Sequence, residues 1–380
     1  MKNVAVRRAL GRVLVPLAAA LALGAAAAGP SEHPERYRVP GGQVAIHNLA
    51  GELTVESGSG ADVVVEVVRG GKDAASLKVE TGMKGTWSTL RVIYPGNRVV
   101  YPKLGRGSTT RAAVSDDGTI GDHALGFLAG RRVTVAGSGG GLQAHADLRV
   151  LVPAGRSLQV HMIAGQAHAS GIDGDLTIDL GSGGAEVKGT RGALVVDTGS
   201  GAVRVTDVHG DVTIGTGSGN VSVSQVRGVH LSIDTGSGGV EGSDLQVEHL
   251  VGETGSGSVD LGTVRADDIR VDTGSGTVAA DLAGDVRSLD VDTGSGSITI
   301  MVSSQLGAEF DIETGGGSIE VDVAHQSSLV EHDHVRGRIG DGAGRIRLDT
   351  GSGGVRLLRR AGSGTRSSFG LGMFMAPAIE

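Results

Sequence analysis

Asp197-Thr198-Gly199-Ser200-Gly201, preceded by Leu194-Val195-Val196, places a carboxylate on a glycine turn at the end of an apolar run. Two such aspartates sharing one proton activate water in aspartic proteases. That chemistry needs two copies in lobes far apart in sequence, each with its acid. This chain has nine related turns. DTGSG recurs at Asp234, Asp272, Asp292 and Asp349, and looser copies start at Asp179, Gly215, Glu253 and Glu313. The fourth motif position falls at residues 182, 200, 218, 237, 256, 275, 295, 316 and 352, in steps of 18 to 21 and then one of 36, read as two turns of 18. A near-fixed period, with the acid replaced by Gly215 in one copy, excludes a protease and indicates a stacked repeat.

The acidic column Asp197, Asp234, Glu253, Asp272, Asp292, Glu313 and Asp349 reads as a solvated face. Neighbouring charges about 5 Å apart repel by under ~1 kcal/mol in water, so no calcium is needed to hold it. The threonine column, Thr198 to Thr350, reads as a flat hydroxyl ladder, but its place at glycine turns does not fit the mid-strand rows of ice-binding solenoids. Glu331-His332-Asp333-His334 has metal-ligand residue types, with no third ligand identifiable. No Ser/His/Asp arrangement or phosphate-cradling loop stands out. The expectation is no catalytic, cofactor-binding or metal residue, no cofactor and no enzymatic activity.

The elements that carry these residues are short strands. From about residue 157, each unit reads strand, T-G-S-G, strand, then a V-x-G turn such as Val208-His209-Gly210. Apolar columns flank the motif: Ile178, Val196, Ile214, Ile233, Val271, Val291, Ile312 and Leu348 before it, and Ala185, Val203, Val221, Val240, Val259, Val278, Ile298, Ile319 and Val355 after it. Gly252 interrupts the first column and suggests a shifted turn. Period-2 alternation inside a period near 19 predicts an all-β, single-stack β-solenoid with coils of about 18–21 residues, of either hand. Roughly eleven coils would span ~50 Å.

The expected organisation is a signal peptide over 1–28, an N-terminal β-strand region over 36–94, a loop or insertion over 95–130, solenoid repeats over 131–357, and a C-terminal tail or cap over 358–380. Lys2, Arg7, Arg8 and Arg12 precede the apolar run 13–23 and a small-residue stretch ending near Ala28, which is secretory-signal order. The run is short for a membrane span, so the mature chain is expected to carry no transmembrane segment. Losing that segment would take the formal charge from −8 to −12. Such a charge argues against a nucleic-acid partner, because phosphate binding needs a basic face. The chain has no cysteine, hence no disulfide and no lipid-modified cysteine. Only eight aromatic residues and 67 glycines among 380 point to a thin aliphatic core.

Val39-Pro40-Gly41-Gly42-Gln43-Val44-Ala45-Ile46, then Leu49-Ala50-Gly51-Glu52-Leu53-Thr54-Val55, and Val150-Leu151-Val152-Pro153-Ala154-Gly155 leading into TGSG turns, resemble the bacterial "putative adhesin" domains of unknown function with β-strand repeats. The resemblance covers about 38–357, with 95–130 as a departure. It implies a repeat fold and an adhesin-like role, and brings no catalytic or ligand residues. The expected function is therefore an exported, non-enzymatic envelope protein, an adhesin or a binding or scaffold module. It would be periplasmic, at the cell surface or extracellular. Its partner would be a surface, a glycan, a protein or a second copy. A carbohydrate-active enzyme on a β-helix scaffold is the alternative, disfavoured because Trp87 is the only tryptophan and Phe310 the only aromatic of the repeats.

Overall fold

The computed structural model describes residues 34–121 and 130–360. The expected signal peptide and most of the expected tail lie outside the described residues. The chain is all-β, with two short 3-10 turns (Ala74–Ser76 and Pro102–Leu104) among the described residues. Its strands form a fourteen-stranded sheet, a fifteen-stranded sheet and a small three-stranded one.

In the middle of the molecule the chain alternates between the two large sheets. Leu194–Thr198, Val212–Thr216, His230–Thr235, His249–Thr254 and Asp268–Thr273 are consecutive neighbours in the fifteen-stranded sheet. Val203–His209, Val221–Arg227, Val240–Gln246 and Val259–Arg265 are consecutive neighbours in the other. All pair in parallel with unbroken register, Val196 beside Ile214, Ile233, Gly252 and Val271 in turn. Both expected apolar columns point inward and are buried, except Ile319, which is half-buried. Gly252 keeps the register, so the expected shift does not occur.

Each T-G-S-G is the corner between the sheets. Thr closes one strand, and the next strand begins two residues after the last glycine. The glycines serve close stacking more than turning. A Cβ on Gly257 would lie 1.7 Å from the carbonyl oxygen of Gly238, and one on Gly255 would lie 2.4 Å from that of Gly236. No side chain fits where one corner rests on the last. The V-x-G turns stack similarly, Gly210 over Gly192. A second bend lies within the fourteen-stranded sheet, where Asp207, Gln225, Asp244 and Thr263 take positive φ in successive rounds. Each leaves its own ladder position unpaired, with the register the same on either side.

The N-terminal strands extend the same sheets. Gln43–Ala50 pairs in parallel with Ser157–Ala164, and Leu53–Ser57 lies between His145–Val152 and Ala167–Ser170. Buried Asn48 ties this block together, its Nδ2 donating to the Ala146 carbonyl at 2.7 Å while the Tyr94 hydroxyl donates to its Oδ1 at 2.7 Å. Fourteen strands at ~4.8 Å make a stack about 60 Å long, longer than the repeats alone suggested. The stretch 95–130, expected as a loop or insertion, contains strands Arg98–Val100 and Thr109–Val114, which form the three-stranded sheet with Arg131–Ala136.

At the C-terminal end, stacking order departs from chain order. Gly344–Thr350 lies between Ser288–Thr293 and Ala308–Thr314, and Val355–Arg359 lies between Ile298–Val302 and Ile319–Asp322. The 36-residue step is therefore not two turns of 18. Residues between form an antiparallel hairpin, His325–Val330 with His334–Ile339, laid against Ala308–Thr314. Charge favours the insertion at one position and opposes it at another. In direct succession, Asp311 and Glu313 would face Asp290 and Asp292. The inserted strand puts Arg347 in register between Asp290 and Asp311, and Asp349 between Asp292 and Glu313.

Two glycines give opposite expectations. Gly252 has no atom within 4 Å of an added Cβ and sits between buried Ile233 and Val271. Gly252→Ala should stabilise the fold by about 1 kcal/mol. Gly257→Ala should destabilise it by roughly 2 kcal/mol or more. Denaturant midpoints measure both, and a shift in the same direction for the two variants would contradict the corner packing.

Candidate functional site

Threonine hydroxyls are absent from the outer surface at these corners, contrary to the expected ladder. Thr198, Thr235, Thr273, Thr293 and Thr350 are at most 1% exposed. Thr254 shows their role. Its Oγ1 donates to the Gly238 carbonyl of the preceding corner at 3.0 Å and accepts the Gly257 N–H of its own corner at 3.0 Å. Thr273 repeats both bonds with Gly257 and Gly276. The alternation of a strand explains the placement: the residue before Thr points out, so Thr points in.

The outward residue is the acidic one. By register, the column on the fifteen-stranded sheet runs Asp179, Asp197, Gly215, Asp234, Glu253, Asp272, Asp292, Asp349 and Glu313. Asp179 is buried, and the other acids are exposed or half-buried. Burial, then the charges of Asp349, Asp272 and Asp290, hold the Asp292 carboxyl above its ordinary range.

Histidines continue the column at both ends. At one end come His161 and His47, followed by Arg91. His161 Nδ1 lies 3.0 Å from Asp179 Oδ2, and its ring stacks on His47 at 4.9 Å between centroids. His47 Nδ1 accepts the Ile120 N–H at 3.3 Å. Burial first, and then the His161 charge, push His47 down to about 3. Arg91 and Lys84 beside it share Asp117, at 3.2 and 2.8 Å.

At the other end stands His334, opposite Glu313. Its Nε2 is 2.7 Å from Asp311 Oδ1 and 3.4 Å from Glu313 Oε1. Arg336 Nε donates to Asp311 Oδ2 at 3.0 Å. Burial raises the Asp311 carboxyl, but hydrogen bonds from Arg336 and His334 outweigh it and hold it below the usual range. His332, from the same sequence cluster as His334, stays on the exposed turn. The sequence reading missed Asp311 and Glu313 as neighbours of His334. Their two-residue spacing shows a shared face, but not the antiparallel partner.

Around this cluster the outward charges alternate by strand at two positions of three. Glu309 lies between Arg345 and Arg338 and Asp311 between Arg347 and Arg336, while Glu313 lies between Asp349 and His334. Glu309, Asp311, Glu313 and the four arginines line a cavity of about 920 Å3. Its chemistry is ionic and hydrogen-bonding, suited to a polar partner.

The model of the family described as Toastrack DUF4097 matches residues 145–358. The chain belongs to the Toastrack DUF4097 family. This is a domain of unknown function, and the match spans the stacked region and the terminal cluster. No curated protein matches the chain. Among solved structures, a "putative cell adhesion protein" from Clostridium sporogenes ATCC 15579 aligns over 86% of this chain and 100% of its own, with 10% identity and a TM-score of 0.17. At that score the likeness supports no reading of this chain. No helix among the described residues is long and apolar enough to cross a membrane.

The His47 environment sets an expected acid response. Unfolded, its imidazole titrates near 6.5; folded, it is held neutral to about 3. Its contribution is therefore complete above pH 6.5 and is lost as pH falls toward 3. Between pH 6.5 and 5 the wild type should lose roughly 2 kcal/mol through this group, while His47→Asn should show a flatter profile. Chemical denaturation across that range measures it, and parallel profiles would contradict the assignment.

Proposed function

We propose that this Toastrack protein is an exported, single-stack β-solenoid of the bacterial envelope that acts by binding rather than by catalysis. Adhesion to a surface, glycan or protein is the form we favour. The observation that carries this reading is the regular outward face of the fifteen-stranded sheet. Round after round, with Gly215 as the gap, presents an acid at the same position and at strand spacing, while the corner threonines and apolar groups turn inward. Such a face recognises an extended partner through many weak polar contacts, as a repeat array allows. The basic, apolar and small-residue order of the first 28 residues supports export.

Intact cells treated with protease, with a periplasmic protein as internal marker, test the reading. The expected outcome is a chain of mature mass, lacking about the first 28 residues, that is digested while the marker survives. An unprocessed chain in the cytoplasm would overturn export. A processed chain protected until the envelope is opened would overturn adhesion and leave a periplasmic scaffold.

A further inference from the structure

We propose that Asp311, Glu313 and His334 form a binding site for a first-row divalent transition ion of the Zn2+, Co2+ or Ni2+ type. The three side chains lie on the same outward face of two directly paired strands, Ala308–Thr314 and His334–Ile339. Their ligand atoms all lie within 4.8 Å of one another. Around a tetrahedral ion with bonds of 2.0–2.2 Å, ligand atoms stand about 3.4 Å apart. The His334–Glu313 separation of 3.4 Å already fits, and the His334–Asp311 separation of 2.7 Å needs only a small side-chain rotation.

The donor set decides the ion class. One imidazole nitrogen with two carboxylates suits Zn2+, Co2+ or Ni2+, whereas Ca2+ and Mg2+ prefer all-oxygen shells. Arg336 holds Asp311 through Oδ2, leaving Oδ1 turned to His334. That is the outer support a ligating carboxylate normally has. Three protein ligands leave one or more positions for water or for a partner's donor, and Asp311 and Glu313 also line the adjoining cavity. The same geometry would serve a protonated His334 paired with two carboxylates, so the experiment must separate the two states.

Titration of the tag-free full chain with ZnCl2 by calorimetry, and with CoCl2 by visible absorption, makes the separation. The expected result is one saturable ion per chain with Co2+ d–d bands, absent with CaCl2. His334→Ala should weaken binding on the order of tenfold or more. His168→Ala, at an exposed histidine elsewhere, should leave it unchanged. Should His334→Ala misfold by circular dichroism, Glu313→Gln and Asp311→Asn carry the same expectation. No saturable binding to the wild type, or binding that these three variants leave intact, would assign the cluster to an ion pair and overturn the proposal.

Discussion

The rest of the structure depends on the close stacking of one glycine corner on the next. Backbone rests on backbone at the T-G-S-G turns, with no room for a side chain. Such packing would bury a carbonyl and an N–H at every corner, at a cost of about 1–3 kcal/mol for each group left unpaired. The inward threonine removes that cost. One hydroxyl donates to the corner before it and accepts from its own. Strand alternation then fixes the remaining positions. With Thr inside, the residue before it is outside and the one before that is in the core. Acidic column, hydroxyl ladder and apolar column are three consequences of one corner.

The same bond tracks the true order of the layers. It runs from Thr293 to Gly276, from Thr350 to Gly296, and from Thr314 to Gly353. The last round of chain is therefore seated inside the stack, not on its end. Both ends of the fifteen-stranded sheet finish in antiparallel pairs, Lys78–Lys84 with Trp87–Ile93 and His325–Val330 with His334–Ile339. Such finishing matters for a parallel stack, whose open end would present unpaired backbone to other chains. The functional reading follows from the geometry: uniform charged faces along the body, and a mixed His, carboxylate and arginine cluster at one end.

Much of this was legible in the residues. The period, the two buried columns and the outward acids follow from counting and alternation. The threonines were misplaced because a hydroxyl at a turn reads as exposed, and only the unpaired backbone of stacked corners explains why it is buried. The strands Arg98–Val100 and Thr109–Val114 fall in the stretch read as a loop or insertion, because short strands flanked by proline and glycine carry little period. The seating of Gly344–Thr350 was hidden because its motif matches the others. One row of charges does alternate in the seated order, Asp290, Arg347, Asp311, Arg336, but its members lie far apart in sequence. The Asp311, Glu313 and His334 grouping was hidden for the same reason, since it exists only once the hairpin folds back.

Seating of the last round between earlier ones is the sharpest claim, and a chain without cysteine is suited to test it. Cysteines placed at 290 and 347 would sit on adjacent strands, about 5 Å apart; those at 290 and 311 would be two strands apart, about 10 Å. A disulfide tolerates the first separation and not the second. Mild oxidation of the folded protein should therefore link Asp290→Cys to Arg347→Cys and leave Asp290→Cys with Asp311→Cys reduced. The reverse pattern would mean that the rounds stack in chain order, and would contradict the account.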